Sequence, residues 1–494
     1  MINFYVSNFK GLREVKLDAL NGLNVVVGYN GYGKTNLLSA IYMFFKNLES
    51  GLERKSFDDN NQEYILLWKD YDISKPIIMS GKIALSRAEA EKVLDRAEEV
   101  NVEVTNRIFY SRNVVSWETV ELNLNGKPPG GEGLERIRKI FSHAEGQIEY
   151  IPIFDQNYFD QVLRRMAELN RSPINLRKYW YDFVNLTGKV IPEIKGLEFW
   201  EFKKLVLNVY NTPIYIDVAA SGFQKVILML FILWLSAGKV LLIEEPEVNM
   251  HPLLQVKVLK LIRKWSSEDF FQVFLSTHSP FFASSDGGRK FIVMRRRGAS
   301  SEALPIDLDD EMRLTLSLLS VDISDLVFSR SVVLIGDNVE IPVVKAWMMR
   351  VGVDPDEAGI RILKLRTELD LQLWQRIKEK LNLKLFVLGS CDKLQDGLKD
   401  SCVSLGKEAE SFYDRNIVLS VLKEMGINPD ERELRELGRD ELTRWISNVM
   451  KRRGFDYVSL REQIGKLVAS KSSVEVPREI EVLANKMKAS EAIA

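Results

Sequence analysis

The chain has two cysteines and three histidines among its 494 residues. Cys391 and Cys402 are too far apart for a CxxC metal knuckle. Two cysteines also cannot staple a chain of this length, so a disulfide framework is excluded and a reducing compartment is expected. Net charge is scarce too: 68 Lys and Arg against 69 Asp and Glu leave a formal −1. No global field therefore draws the protein to nucleic acid or to an anionic bilayer, and any DNA contact must come from a local basic patch. Long apolar runs are missing. The longest, Val226–Ala237, is little more than half of the ~20 residues that span a bilayer and is better placed in a buried helix. At the start, Met1-Ile2-Asn3-Phe4-Tyr5, no basic segment followed by an apolar one is visible, so no secretory signal is expected. The expectation is a cytoplasmic protein with no membrane partner.

What is present is core-forming material: 46% apolar and 28% charged residues, enough for about three units at roughly 150 residues each. Short strands over 1–27 close on Asn24-Val25-Val26-Val27, and an amphipathic helix follows from about Lys34 to Lys46. Strand-like pieces over 77–125 are interrupted by a charged helix, Ser86–Glu99. Helical patterning dominates 155–207. Beyond it come an apolar helix from Phe223, a buried strand Val240–Ile243, a helix Pro252–Trp265 and a buried strand Phe271–Leu275. Alternation of this kind predicts a mostly parallel sheet covered by helices. A second such run starts at Val332 and includes Leu385–Leu388, and the last ~70 residues show the periodicity of charged helices.

Gly28-Tyr29-Asn30-Gly31-Tyr32-Gly33-Lys34-Thr35 fits GxxxxGK[ST] without mismatch, between an apolar strand and a helix. Glycines let main-chain N–H groups turn inward around phosphate oxygens, and the helix N-terminus adds its dipole. Gly28, Asn30, Gly31, Gly33, Lys34, Thr35 and Asn36 are the candidate nucleotide contacts. Lys34 supplies a point charge to the terminal phosphates of ATP, and the Thr35 hydroxyl a ligand to Mg2+. The strand Val240–Ile243 ends in Glu244-Glu245-Pro246-Glu247. Such a cluster repels itself unless a cation or a proton compensates it. Glu244 is assigned to the metal's shell, and Glu245 to the attacking water as general base. Phe271–Leu275 runs into Ser276-Thr277-His278, where a neutral His278 can reach the γ-phosphate or the lytic water.

Ala219-Ala220-Ser221-Gly222-Phe223-Gln224 precedes the apolar helix, about twenty residues ahead of the acidic strand. Ser221, Gly222 and Gln224 form a second candidate anion site at a helix start, where an ordinary N-capping serine is the alternative. Taken in order, GYNGYGKT, ASGFQ, LLIEEPE and STHSP resemble the ABC-type ATPases of the RecF, SMC and OLD (overcoming lysogenization defect) families, and Asn8-Phe9-Lys10-Gly11-Leu12 resembles their opening strand. In those families the signature serine contacts the γ-phosphate held by the other protomer. The resemblance thus implies a homodimer with Ser221 acting in trans, a higher oligomer being the extension of it. It also implies a Q-loop glutamine, for which Gln156 is the candidate. Glu244 stands where many ABC proteins carry Asp, while OLD-like members show the EEPE form found here.

Ile323–Glu340, with Val332-Val333-Leu334-Ile335-Gly336-Asp337, resembles the entry to the Toprim domain of OLD nucleases, and Leu385–Lys393 its strand ending in DxD. Aligned on those patterns, three family acids fall on Gly336, Ser390 and Val418, leaving Glu340 and Asp392. Metal-dependent cleavage needs clustered carboxylates, so this domain reads as Toprim-like and degenerate. The alternative is an active OLD-type nuclease using Asp337, Glu340 and Asp392. A weaker one is a membrane transporter's ATPase subunit, against which the long C-terminal extension and the RecF-like start argue. Arg295-Arg296-Arg297, with Arg289 and Lys290, either tracks a phosphate backbone or is a solvated strand end. Lys451-Arg452-Arg453 reads as a solvated face, and Tyr179-Trp180-Tyr181 as lobe packing rather than base stacking.

The expected fold class is α/β. It comprises an ABC-type P-loop ATPase over 1–327 with a helical lobe at about 155–207, a smaller Toprim-like domain over 328–425, and a charged helical tail over 426–494. DNA and an effector protein are the candidate partners, in DNA maintenance or anti-virus defence.

Overall fold

The computed structural model describes all residues except 60–63, 154, 201–203, 269–270, 285–288, 308–309, 337–338, 366–367, 382, 390, 392–395, 431, 433–440, 472–475 and 493–494. The α/β class holds. The chain divides into two compact units, Met1–Asp309 and Asp310–Ala494.

The first unit contains β1 (Asn3–Phe9), β2 (Leu12–Leu17), β3 (Leu23–Val27), β4 (Ser56–Asp58), β5 (Ile77–Leu85), β6 (Val100–Ser111), β7 (Val114–Leu124) and β8 (Ile148–Ile151). Then follow β9 (Ile194–Trp200), β10 (Lys204–Val209), β11 (Thr212–Tyr215), β12 (Lys239–Glu244), β13 (Phe271–Thr277), β14 (Lys290–Arg297) and β15 (Ser300–Asp307). Twelve of them form one sheet in the order β4-β7-β6-β5-β1-β2-β15-β14-β3-β13-β12-β8. One half is antiparallel, and β5 there buries alternate residues Ile77, Met79, Gly81, Ile83 and Leu85. The other half, β14-β3-β13-β12-β8, is parallel. Strands covered on both faces read as continuous apolar runs, and β3 is buried at all five positions. The helix Lys34–Lys46 lies on this sheet, burying Leu37, Leu38, Ile41, Phe44 and Phe45 at helical spacing.

The expected helical lobe is half helix, half strand. Helices Gln156–Arg171 and Ile174–Val190 form, but β9, β10 and β11 make a separate antiparallel sheet where helix was expected. Pro192 explains the change: the residue before a proline is pushed out of the helical region, and the helix ends at Val190. Tyr210 and Asn211, at φ 47° and 65°, then close a two-residue hairpin between Val209 and Thr212. In the aromatic triplet only Trp180 is buried, against Phe183 and Phe199, while Tyr179 and Tyr181 are exposed.

In the second unit β16 (Ser331–Ile335), β17 (Ile360–Lys364), β18 (Leu385–Leu388) and β19 (Cys402–Val403) form a parallel sheet in the order β17-β16-β18-β19. Two expectations change here. The division falls at 309/310 rather than 327/328, since helix Asp310–Leu319 packs on helix Glu368–Leu381 of the second unit. The tail is also not a separate element: Trp445, Ile446, Ile464, Val468, Ile480 and Leu483 share one core with Val333, Ile335 and Trp347. The cysteine expectation is corrected as well. Cys391 follows β18 and Cys402 opens the adjacent β19, so their Cα atoms lie 6.0 Å apart and the two are disulfide-bonded. The two cysteines therefore do not indicate a reducing compartment. Among the described residues no helix is long and apolar enough to cross a membrane.

Candidate functional site

Parallel register gathers the motifs. Val27 pairs with Thr277, and Ser276 with Glu244, so the phosphate loop, His278 and the acidic residues leave neighbouring strand ends on one edge of the sheet. Ligands of open α/β sheets lie at that edge. Gly28, at φ 150°, is held so close to β14 that a Cβ there would sit 2.6 Å from the Met294 carbonyl oxygen. Gly33 starts the helix at φ 86°, a left-handed conformation that a side chain disfavours. Asn30, Gly31 and Thr35 are exposed and Asn36 is half-buried.

Lys34 is buried, and its Nζ donates to the carbonyls of Gly28 (3.0 Å) and Tyr29 (3.2 Å) and lies 2.7 Å from His278 Nε2. An ammonium only donates, so Nε2 accepts and the imidazole proton sits on Nδ1. Burial pushes the Lys34 pKa down, against the raising effect of Glu245 and Glu247. His278 is lowered by burial first and then by Lys34, with Glu245 and Glu247 opposing. Glu245 Oε1 is 3.4 Å from the same Nε2. Glu247 Oε1 accepts from the main-chain N–H groups of His278 (2.6 Å) and Ser279 (3.2 Å), which fixes the turn after β13.

Glu244 is buried, and its Oε1 and Glu247 Oε2 have no hydrogen-bond partner among the described residues. An unmatched buried carboxylate oxygen calls for a cation. Glu244 and the exposed Thr35 hydroxyl therefore fit a Mg2+ site. The described residues hold no group of three His, Cys, Asp or Glu side chains suited to a metal. Such an ion would complete its shell from phosphate oxygens and water.

Three further groups escaped sequence reasoning because only the tertiary fold brings them near. Tyr150 on β8 has its hydroxyl pKa raised by burial and then by Glu244. Lys10, in the β1–β2 turn, is lowered by burial and raised by Glu244. Lys225 donates to the Glu245 carbonyl oxygen at 2.6 Å, and burial depresses it to about 8 against Glu247, Glu245 and Glu244.

The signature stands apart. Ala220, not Ser221, is the N-cap of helix Ser221–Trp234, so Ser221 is exposed and not spent on capping. Gln224 Nε2 donates to the Ala219 carbonyl oxygen (3.0 Å), and Gly222 packs on Asn249. Among the described residues no hydrogen bond or ion pair joins Ser221 to its own phosphate loop. Gln156 lies just beyond β8, the strand paired with β12, and is exposed with its amide donating to Asp160 (3.1 Å). His251 caps helix Pro252–Ser267. Of the basic run, Arg289 donates to the Phe282 carbonyl and Lys290 to those of Asp18 and Ala19, all within the fold. Arg296 and Arg297 are exposed.

In the second unit Glu340 follows β16 but is ion-paired with Lys364 (2.9 Å) and lies 3.7 Å from Arg461. Arg461 clamps buried Glu410 through two contacts, 2.6 and 3.1 Å. Val418 is fully buried. Asp337, Ser390 and Asp392 lie outside the described residues.

A phosphate loop, an acidic strand end and a histidine on one edge of a parallel sheet define a P-loop ATPase. The AAA ATPase domain family matches residues 1–92 and 52–283, more than half of the chain, and the chain belongs to that family. It is 23% identical over 333 residues to endonuclease GajA of Bacillus cereus, covering 56% of this chain and 55% of that protein. To the DNA replication and repair protein RecF of Bacillus velezensis it is 22% identical, covering 33% and 41%. To an ATP/GTP phosphatase of Helicobacter pylori it is 22% identical, covering 56% and 85%. The match thus spans about half the length of the endonuclease and two fifths of RecF. Among solved structures, an SMC head bound to the C-terminal winged-helix domain of ScpA aligns over 63% of this chain and 98% of its own, at 15% identity and a TM-score of 0.45.

Proposed function

We propose that the chain is an ABC-type ATPase that hydrolyses ATP with Mg2+ between two copies of itself, in DNA maintenance or anti-virus defence. The observation that carries this is the line Lys34–His278–Glu245 at the strand edge, beside the orphaned buried oxygen of Glu244. Lys34 and the loop N–H groups bind the phosphates. Glu245 takes the proton of the attacking water, and His278, neutral, orients that water or the γ-phosphate. Bound magnesium supplies the charge that draws the triphosphate and Glu244 together. Ser221, exposed and uncommitted, is available to a nucleotide held by the other copy. Names and partial matches of RecF and the endonuclease support the DNA-related role.

The second unit serves as a docking or regulatory module. Ion-pairing of Glu340 with Lys364 and burial of Val418 support loss of cleavage there. The similarity to an endonuclease keeps a second reading alive, an ATP-gated nuclease using Asp337, Glu340 and Asp392. Incubation with supercoiled DNA and Mg2+ or Mn2+ decides: no nicking is expected, and nicking abolished by Asp392→Ala overturns the module reading. For the ATPase, Glu245→Gln with Mg2+ and saturating ATP is expected to elute as a dimer, and to lose it in EDTA. A Glu245→Gln protein that stays monomeric removes the trans-signature mechanism.

A further inference from the structure

We propose that Lys225 is a positioning residue that ties the signature helix to the catalytic Glu245, so that the Ser221 turn and the phosphate-loop site of one chain move together. This rests on the reading above and adds the means by which one ATP senses the other.

Glu245 sits at φ 38°, in the left-handed region. A residue with a Cβ stays there only where its surroundings over-determine it. Here both sides of the residue are held. Its N–H donates to the Ser276 carbonyl oxygen at 2.9 Å, and its carbonyl oxygen accepts from Lys225 Nζ at 2.6 Å and from Val248 N–H at 3.2 Å. Lys225 stands one turn beyond Ser221 on the signature helix. The same helix end touches the loop after β12 a second time: a Cβ on Gly222 would lie 2.4 Å from the Asn249 carbonyl oxygen.

Lys225 lies in the field of Glu244, Glu245 and Glu247, yet it ion-pairs with none of them and gives its proton to a main-chain oxygen. Neutralising charge would be served by a carboxylate contact. A carbonyl contact fixes backbone geometry. From Glu245 the connection runs through its carboxylate to His278 Nε2 (3.4 Å) and on to Lys34 Nζ (2.7 Å). One hydrogen bond, Lys225 to the Glu245 carbonyl, and two close approaches, Glu245 to His278 and His278 to Lys34, thus lead from the helix that would meet the partner's nucleotide to the lysine that holds its own, and such a line carries coupling when its ends are biased together.

The test uses the full chain with Lys225→Met and Lys225→Arg, each alone and in the Glu245→Gln background. Binding is read by titration with a fluorescent ATP analogue, and turnover by phosphate release. Lys225→Met is expected to lower kcat about 10- to 100-fold, the effect of a misplaced catalytic group, while binding changes less than about threefold. Lys225→Arg, which keeps a donor, restores most of kcat and serves as the folded comparator if the methionine variant is unstable. In Glu245→Gln, adding Lys225→Met lowers residual turnover no further, since both act through one group. A merely structural lysine would instead add its loss in that background and would weaken binding with turnover. Wild-type turnover in Lys225→Met, or an additive loss in the double variant, overturns the proposal. Absence of hydrolysis by the wild-type chain overturns the ATPase reading instead.

Discussion

The Lys34–His278 contact makes a statement about protonation. Burial and the neighbouring ammonium both lower the imidazole pKa below its ordinary value of about 6.5, so His278 is neutral near pH 7. A neutral ring can accept from Lys34, whereas a charged one would be repelled. Turnover is therefore expected to be flat near neutrality and to fall only as the pH drops below that ordinary value. His278→Asn, with no group titrating there, should flatten that acid limb in a pH–kcat profile; an unchanged limb assigns it elsewhere. Lys34 donates to two carbonyls of its own loop, so it is placed by the loop rather than by sheet packing. Lys34→Ala should weaken ATP binding by about 2 kcal/mol, the scale of a charge-assisted hydrogen bond, as read by calorimetric titration, with little change in thermal stability.

Glycine decides the geometry of two elements. Gly28→Ala would drive a methyl group into the Met294 carbonyl and demand a left-handed backbone, so loss of nucleotide binding is expected by the same titration. Gly222→Ala has a different result: the methyl group meets Asn249, on the acidic loop, leaving the phosphate loop untouched. ATP binding should survive while turnover and the trapped dimer are lost, with overpacking costing about 1–3 kcal/mol in a denaturant melt. Elements of this kind were readable in advance where the signal is local. The helix Lys34–Lys46 and the strands around Val240–Ile243 and Phe271–Leu275 follow from a motif, a period and apolar runs. β9 and β10 were not, because the helix stop at Pro192 and the Tyr-Asn turn that pairs β10 with β11 were hidden by the helical pattern before them. Lys225, Tyr150 and Lys10 were not readable for another reason: a helix start, a parallel strand and a β-turn bring them to the acidic strand end only through tertiary packing, which no short window contains. Gln156 shows the converse. Its place after an edge strand was foreseeable, but its amide is turned to Asp160.

At the scale of the whole chain, composition carried no boundary signal at 309/310, since no Pro- or Gly-rich linker marks it, and the division shows only in which helices share a core. The balance of charge leaves DNA as a regulator to be tested rather than assumed. With linear and supercoiled DNA, ATP turnover is expected to rise several-fold, measured by phosphate release at low and at raised salt. A response that salt abolishes would locate the contact in exposed arginines such as Arg296 and Arg297.

The last helix, Arg478–Ala492, places Ile480, Leu483 and Met487 in the interior of the second unit, beside residues of its central sheet. A stop codon ahead of Arg478 would therefore do more than trim a solvated end. It would open a greasy trough along the sheet-bearing layer, and the shortened polypeptide should be recovered as aggregate or as protease fragments, even though every phosphate-loop residue lies in the other unit.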